Sequence, residues 1–334
     1  MVRLCLCLLL VPSLSKGQVG GRHSFDFTNI PSNTRVAGLG GVNISLADVD
    51  VNMAFSNPAL SGDTLAGLTS FNYSNYLADA AVFSGIYQRN ISKLGSFFFG
   101  VTHVSYGDFD TYDNTGQMLG EATAGDTEVM VGKSHQVGVF RIGATVKFMN
   151  STIAGYTASA IATDIGGVFI HPDRSLTAAL AFKNVGVVIR DYTDGEDASL
   201  PLDVQLGVSF KPQYMPFRFS LTGYNLAERD IPYKATASDD EPGSADRLLR
   251  HVNVGAELLL SQNLNVRFGY NHLRRQELKL DENGGGAGFT FGFMFRVKAF
   301  EFSYSRGGYH AAGGSNVFGI TVNTNKFLRK TISG

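Results

Sequence analysis

Seven histidines, at positions 23, 103, 135, 171, 251, 272 and 310, are the side chains best suited to acid–base or metal chemistry. None falls in a His-Glu-x-x-His pair or another tight ligand spacing, so they predict no metal site. No Gly-x-Ser-x-Gly elbow presents a nucleophile. Ser134 and His135 are adjacent, but neighbouring side chains on a strand point to opposite faces and would not meet. Asp239-Asp240-Glu241 offers carboxylates for Ca²⁺, yet it lacks the alternating ligands of a calcium loop and reads as solvated acidic chain. Gly284-Gly285-Gly286 would suit a phosphate cradle, but no Lys-Ser or Lys-Thr follows, so a hairpin turn is the better reading. The sequence therefore predicts no enzyme, no catalytic residue, no metal and no cofactor.

The elements that carry these residues are strands. The chain of 334 residues has 28 basic and 29 acidic side chains, and only 17% of it is charged. That balance provides no basic field for nucleic acid. A hydrophobic share of 44% is too high for disorder. Past the first dozen residues, no window approaches the 18 or so apolar residues of a spanning helix. These features leave a soluble β-rich protein or a membrane β-barrel.

The first residues read as an export signal. Met1-Val2-Arg3 supplies a basic start, Leu4–Val11 an apolar run, and Ser15-Lys16-Gly17 a small-residue cleavage site near Gly17. Both cysteines, Cys5 and Cys7, lie inside the segment 1–17 that would be removed. The mature chain would then hold no disulfide, thiolate ligand or cysteine nucleophile.

From Leu68 onward, apolar and polar positions alternate in runs of roughly ten residues. Phe289, Phe291, Phe293, Phe295 and Val297 share one face, opposite Thr290, Gly292, Arg296 and Lys298. Leu202, Val204, Leu206, Val208 and Phe210 oppose Asp203, Gln205 and Ser209 in the same way. About fourteen such runs fit between Leu68 and Asn325. Soluble strands average about 5–6 residues and membrane-spanning strands about 9–11, so run length favours a barrel over a soluble sandwich. The expected fold is an all-β, antiparallel outer-membrane barrel of about 14 strands occupying residues 68–334. A secreted β-sandwich adhesin is the soluble alternative. Polar stretches from Gly107 to Thr127, Arg190 to Leu200 and Glu228 to Arg247 are read as long loops at one rim.

Residues 18–67 break the alternation and are rich in small side chains, which suits an irregular plug held inside the barrel. Gly40-Gly41-Val42, then Ser45-Leu46-Ala47-Asp48, then Asn57-Pro58-Ala59 resemble the N-terminal segment of FadL-like outer-membrane proteins. With Phe25-Asp26-Phe27-Thr28 before them and Asn72-Tyr73-Ser74-Asn75 after, they are more similar to the PorV/PorQ branch, on its PorQ-like side. Val104-Ser105-Tyr106-Gly107-Asp108-Phe109 fits the same pattern. The resemblance implies a FadL-like barrel with no chemistry of its own, serving the attachment complex of the type IX secretion system. It implies a PorZ-like surface partner, with PorU and PorV in the same complex, and contact with outer-membrane lipid or anionic lipopolysaccharide. The rival role is that of a FadL-type transporter of hydrophobic small molecules. Under it, Asn57, Pro58 and Ala59 would form a movable hatch, and Phe55 and Leu60 would line an apolar path.

Overall fold

A computed structural model describes residues 24–76, 80–113, 115–193, 199–228, 231, 243–278, 286–310 and 313–326. The segment 1–17 read as an export signal, His23, the Asp239-Asp240-Glu241 run, Gly284 and Gly285 lie outside the described residues.

Fourteen strands form one closed antiparallel barrel: β1 Leu68–Asn75, β2 Ala81–Ile91, β3 Gly95–Tyr112, β4 Met118–Val137, β5 Phe140–Ile153, β6 Tyr156–Ile170 and β7 Leu176–Arg190. The chain continues with β8 Asp203–Phe210, β9 Phe217–Gly223, β10 Val252–Ser261, β11 Leu264–Asn271, β12 Phe289–Val297, β13 Phe300–His310 and β14 Gly313–Asn323. Each strand pairs with its sequence neighbours, and β1 closes on β14 from Leu68↔Asn323 to Asn75↔Asn316. A single closed sheet rules out the sandwich alternative.

The alternation puts apolar side chains outside. Phe289, Phe291, Phe293, Phe295 and Val297 of β12 are exposed, whereas Thr290 is buried. On β8, Leu206, Val208 and Phe210 face out while Asp203, Gln205 and Ser209 are buried within. A soluble protein would bury such a face; an apolar exterior around a polar lumen matches lipid outside the wall. Aromatic rings pair across the exterior, with Phe295–Phe302 centroids 5.1 Å apart and Tyr304–Phe318 centroids 5.2 Å apart. No helix among the described residues is long and apolar enough to cross a membrane.

The rims differ. The turns 92–94, 138–139, 262–263 and 298–299 are short, while the opposite rim carries the connections 191–202, 224–251 and 272–288. Two helices, α2 Ser244–Arg250 and α3 His272–Leu278, stand in the last two connections. The first shorter helix, α1 Thr34–Gly38, belongs to the segment before β1.

Two expectations about loops need correction. Gly107 to Thr127 is not a loop, because β3 runs on to Tyr112 and β4 starts at Met118. The register shifts between Ser105 and Asp108, where Gly107 adopts φ +76°, and pairing then resumes from Asp108↔Thr123 to Tyr112↔Met118. Glycine and acidic residues suggested a turn, but here they build a bulge and a solvated ribbon. Within the stretch from Glu228 to Arg247, the last residues already belong to α2.

Candidate functional site

The lumen is filled by the chain's own N-terminal segment, built from short turns that begin on side-chain caps. Asn33 accepts from Val36 N at 3.0 Å to start α1, and Gly40 and Gly41, at φ +92° and +94°, end it. Asp50 accepts from Asn52 N to begin a 3-10 turn, Val51–Phe55. Asn57 accepts from Ala59 N at 2.9 Å, with Pro58 as first residue of the turn Pro58–Leu60.

Barrel side chains complete these turns. Asn253 Nδ2 donates to Leu39 O at 2.7 Å and to Val42 O at 2.6 Å, and Thr290 Oγ1 donates to Gly38 O at 3.0 Å. Ser305 Oγ donates to Thr34 O at 2.6 Å. Helix-end carbonyls that would be orphaned in a buried plug are thus satisfied by the wall. On the other side, Ser134 Oγ and Arg141 Nη1 donate to Ser61 O at 2.8 and 2.9 Å. Ser134 therefore points inward to the plug while His135 is exposed, on opposite faces of β4.

The predicted hatch residues sit deep in this packing. Asn57, Ala59 and Leu60 are fully buried, and Asn57 Nδ2 also donates to Ile44 O. Glycines make the close approach possible. A Cβ on Gly143 would lie 2.5 Å from the Pro58 carbonyl carbon, and one on Gly166 would overlap Asn57 Oδ1. Leu60 and Ala59 pack with Ile44, Leu46, Met53 and Val168. Phe55 turns away into a separate cluster with Val51, Leu65, Ile86, Phe98 and Met130. The structure therefore brings Asn57, Pro58, Ala59 and Leu60 together and separates Phe55 from them.

Asp48, from one of the plug motifs, joins residues that the sequence did not single out in an ion cluster fixing the plug to the wall. Arg35 of α1 donates Nε to Glu257 Oε1 at 2.9 Å and Nη2 to Glu257 Oε2 at 2.8 Å. The same guanidinium reaches Asp48 at 2.6 Å and Asp50 at 3.4 Å. Arg218 of β9 donates to Asp48 and, at 3.0 Å, to Glu257, while Arg267 Nε lies 3.4 Å from Glu257. Three guanidiniums and three carboxylates balance; Arg35 and Glu257 are both paired and hydrogen-bonded, whereas buried Arg267 has Glu257 beside it but no hydrogen bond to its Nε or Nη1. Arg35 and Glu257 are 222 residues apart, so no local motif announces the pair.

A second cluster stiffens the opposite wall. Lys147 Nζ of β5 contacts Asp164 of β6 at 2.9 Å and Glu128 of β4 at 3.4 Å. Asp164 Oδ1 also accepts from Asn184 N at 2.8 Å, where β7 bulges and Asn184 adopts φ +59°.

Among the described residues, a cavity lies on each side of the plug. A cavity of about 870 Å³ on the long-loop side is lined by Phe27, Asn43, Phe55, Glu128, Lys147 and Asp203 among others. A smaller one of about 440 Å³ opens at the short-turn side, against Ser45, Asp48, Arg174, Ser209, Lys211 and Arg218. Asn43 faces one chamber and Ser45 the other, so Ile44 is the partition at this point. Ile44 is fully buried against Gly207, and Ser45 Oγ and Ser209 Oγ share a hydrogen bond of 2.7 Å. Among the described residues, no group of three or more His, Cys, Asp or Glu side chains could hold a metal ion.

Above the long-loop rim the β3–β4 ribbon extends alone. Tyr106 OH donates to Asp126 at 2.6 Å, and Ser151 Oγ also donates to Asp126, bracing the base. At the tip, Asp113 accepts from Thr115 Oγ1 and from the backbone N–H groups of Thr115 and Gln117; the hydroxyl and these amides hold its carboxyl below the usual range.

A closed 14-stranded antiparallel barrel with this topology defines the FadL-like class of fold. The chain is similar to the toluene transporter TbuX of Ralstonia pickettii, at 11% identity and a TM-score of 0.50, over 89% of this chain and 98% of that one. It is similar also to a FadL homologue of Pseudomonas aeruginosa, at 13% identity and a TM-score of 0.50, over 88% and 98% of the two chains. No protein-family model and no curated protein matches the chain.

Proposed function

We propose that this chain is a non-enzymatic outer-membrane barrel that anchors a surface component rather than conducting a solute. The observation that supports this reading is the packing of the plug against the wall. The plug packs α1 on β11–β14, Ile44 on β8, Pro58–Leu60 on β4–β6, and Val51–Phe55 on β1 and β2. Its latch buries Arg35 and Glu257, and separating them would leave each charge buried without its partner. Following the PorQ-like resemblance, the anchored component is a PorZ-like protein. It would act in the type IX attachment complex with PorU and PorV, which couples secreted cargo to anionic lipopolysaccharide.

Transport of hydrophobic small molecules is the second reading, favoured by the chamber of about 870 Å³ on the long-loop side. Gentle detergent extraction of the tagged chain from its own outer membrane, followed by mass spectrometry, separates the two. Co-purification of a large surface protein with members of the secretion complex is the expected result. A lone barrel carrying bound lipid would overturn the anchor reading in favour of transport.

A further inference from the structure

The β3–β4 ribbon has three properties that its own chain does not explain. First, its edges are open. β2 pairs with β3 only as far as Ala81↔Ser105, and β5 pairs with β4 only as far as Ala124↔Ile153. Beyond those points, no described strand pairs with the outer edge of β3 from Tyr106 to Tyr112. An open edge presents unpaired N–H and C=O groups to any extended chain that meets it.

Second, the ribbon carries one sign of charge. No Lys, Arg or His occurs between His103 and Lys133, while Asp108, Asp110, Asp113 and Glu121 all lie on the ribbon or its tip. Asp110 and Glu121 stand directly opposite each other in the register. Like charges in that position repel, and no described cation neutralises them. Along β4, Glu121 and Thr123 occupy the same face as Val129 and Val131, so the lipid-facing row turns acidic where the ribbon leaves the wall. Carboxylates on that face place the ribbon in water.

Third, despite being in water, the ribbon exposes large apolar side chains. Tyr112 is 58% exposed, Met118 52% and Leu119 69%. Apolar side chains grouped on an aqueous projection mark a contact surface.

We propose that the ribbon is a docking edge for one occupant: an extended, lysine- or arginine-rich segment of a surface protein, added as a strand beside β3. Backbone pairing supplies the attachment. Cationic side chains at alternate positions of the added strand neutralise Asp108, Asp110 and Glu121, and the apolar tip packs against the same partner. This deepens the anchor reading above and rests on it.

The test uses the full-length chain in its own cells, with a photo-cross-linking benzoylphenylalanine at Tyr112. The expected product joins the barrel to a single surface protein through a peptide carrying Lys or Arg at alternate positions. In a variant combining Asp108→Asn, Asp110→Asn and Glu121→Gln, the yield falls about tenfold, which corresponds to about 1.4 kcal/mol of contact. Asp110→Lys with Glu121→Lys lowers it further. Heat-modifiable gel mobility confirms that each variant still folds; the ribbon lies outside the closed wall, so it should.

Unchanged yield in both variants would overturn the proposal, as would cross-links only to lipopolysaccharide, a product through a peptide without cations, or no product. A strain lacking the whole chain distinguishes the two levels. If the surface protein is released by that deletion but retained by the ribbon variants, only the docking edge fails. If deletion releases nothing, the anchor reading itself fails.

Discussion

The two halves of the wall are built to different heights, and among the described residues the ion pairs between plug and wall lie on the lower one. Strands β3 to β7 have 14 to 20 residues, whereas β8 to β12 have 7 to 10. On the tall side the plug is wedged sterically, with Asn57-Pro58-Ala59 seated against Gly143 and Gly166. On the low side it is latched by charge, through Arg35 to Glu257 and Asp48 to Arg218. The low side also lacks projecting strands, and α2 and α3 stand over it instead, joined where His272 Nε2 meets Asp246 Oδ1 at 2.7 Å. A tall wall supplies enough backbone to trap a segment by shape. The low wall seats the plug by shape as well, with Leu39 and Gly40 against Gly255 and Gly269, and its ion pairs add directional charged bonds.

Breaking the latch should have the largest effect. Glu257→Gln leaves Arg35 and Arg267 buried beside a neutral amide, and removing one partner of such a network costs about 3–5 kcal/mol. The temperature at which the folded band loses its fast gel mobility should drop sharply, and trypsin should gain access to Arg35. Lys147→Met, made in the tall half, should also destabilise the barrel, yet leave Arg35 protected. Equal exposure of Arg35 in both variants would dissolve the distinction between the halves.

Ile44→Ala comes next, with a cost of about 2–4 kcal/mol for the cavity it leaves. Because Ile44 separates the two chambers, planar-bilayer recordings should show ion conductance in this variant and none in the parent. A parent that already conducts would refute this partition. Gly166→Val forces a side chain into Asn57 and should cost about 1–3 kcal/mol by overpacking, read as a lower unfolding midpoint in urea. The smallest effect belongs to the helical cover. Asp246→Asn weakens contacts of a partly exposed carboxylate with His272 and Arg250, for about 0.5–1 kcal/mol, without exposing Arg35.

The wall was legible because lipid and lumen impose opposite demands at every second residue. Phe289, Phe291, Phe293 and Phe295 give their orientation to a period-two reading, and β1 starts at Leu68, where the alternation starts. The ribbon was misread because Gly107, Gly116, Gly120 and Gly125 are turn-formers, and a period-two pattern is interrupted wherever a bulge inserts a residue. The plug's position was suggested by its small residues, but its latch was not. Arg35 meets Glu257 across 222 residues, and only closure of the barrel brings β10 beside α1. α2 and α3 escaped notice because seven residues hold too few turns to display a helical period.

The pairing of β1 with β14 has a mechanical side. The plug runs directly into β1, and its last residues are clasped by those that follow the strand closing the barrel: Thr324 N donates to Gly67 O and Asn325 Nδ2 donates to Ala66 O, both at 2.8 Å. Gly67 N in turn donates to Gln88 O of β2 at 2.7 Å. Any tension that drags the plug out of the lumen is therefore delivered to the joint where the two ends of the sheet meet. It loads the β1–β14 ladder along its length, in shear, the geometry in which many hydrogen bonds share the strain at once instead of parting one by one.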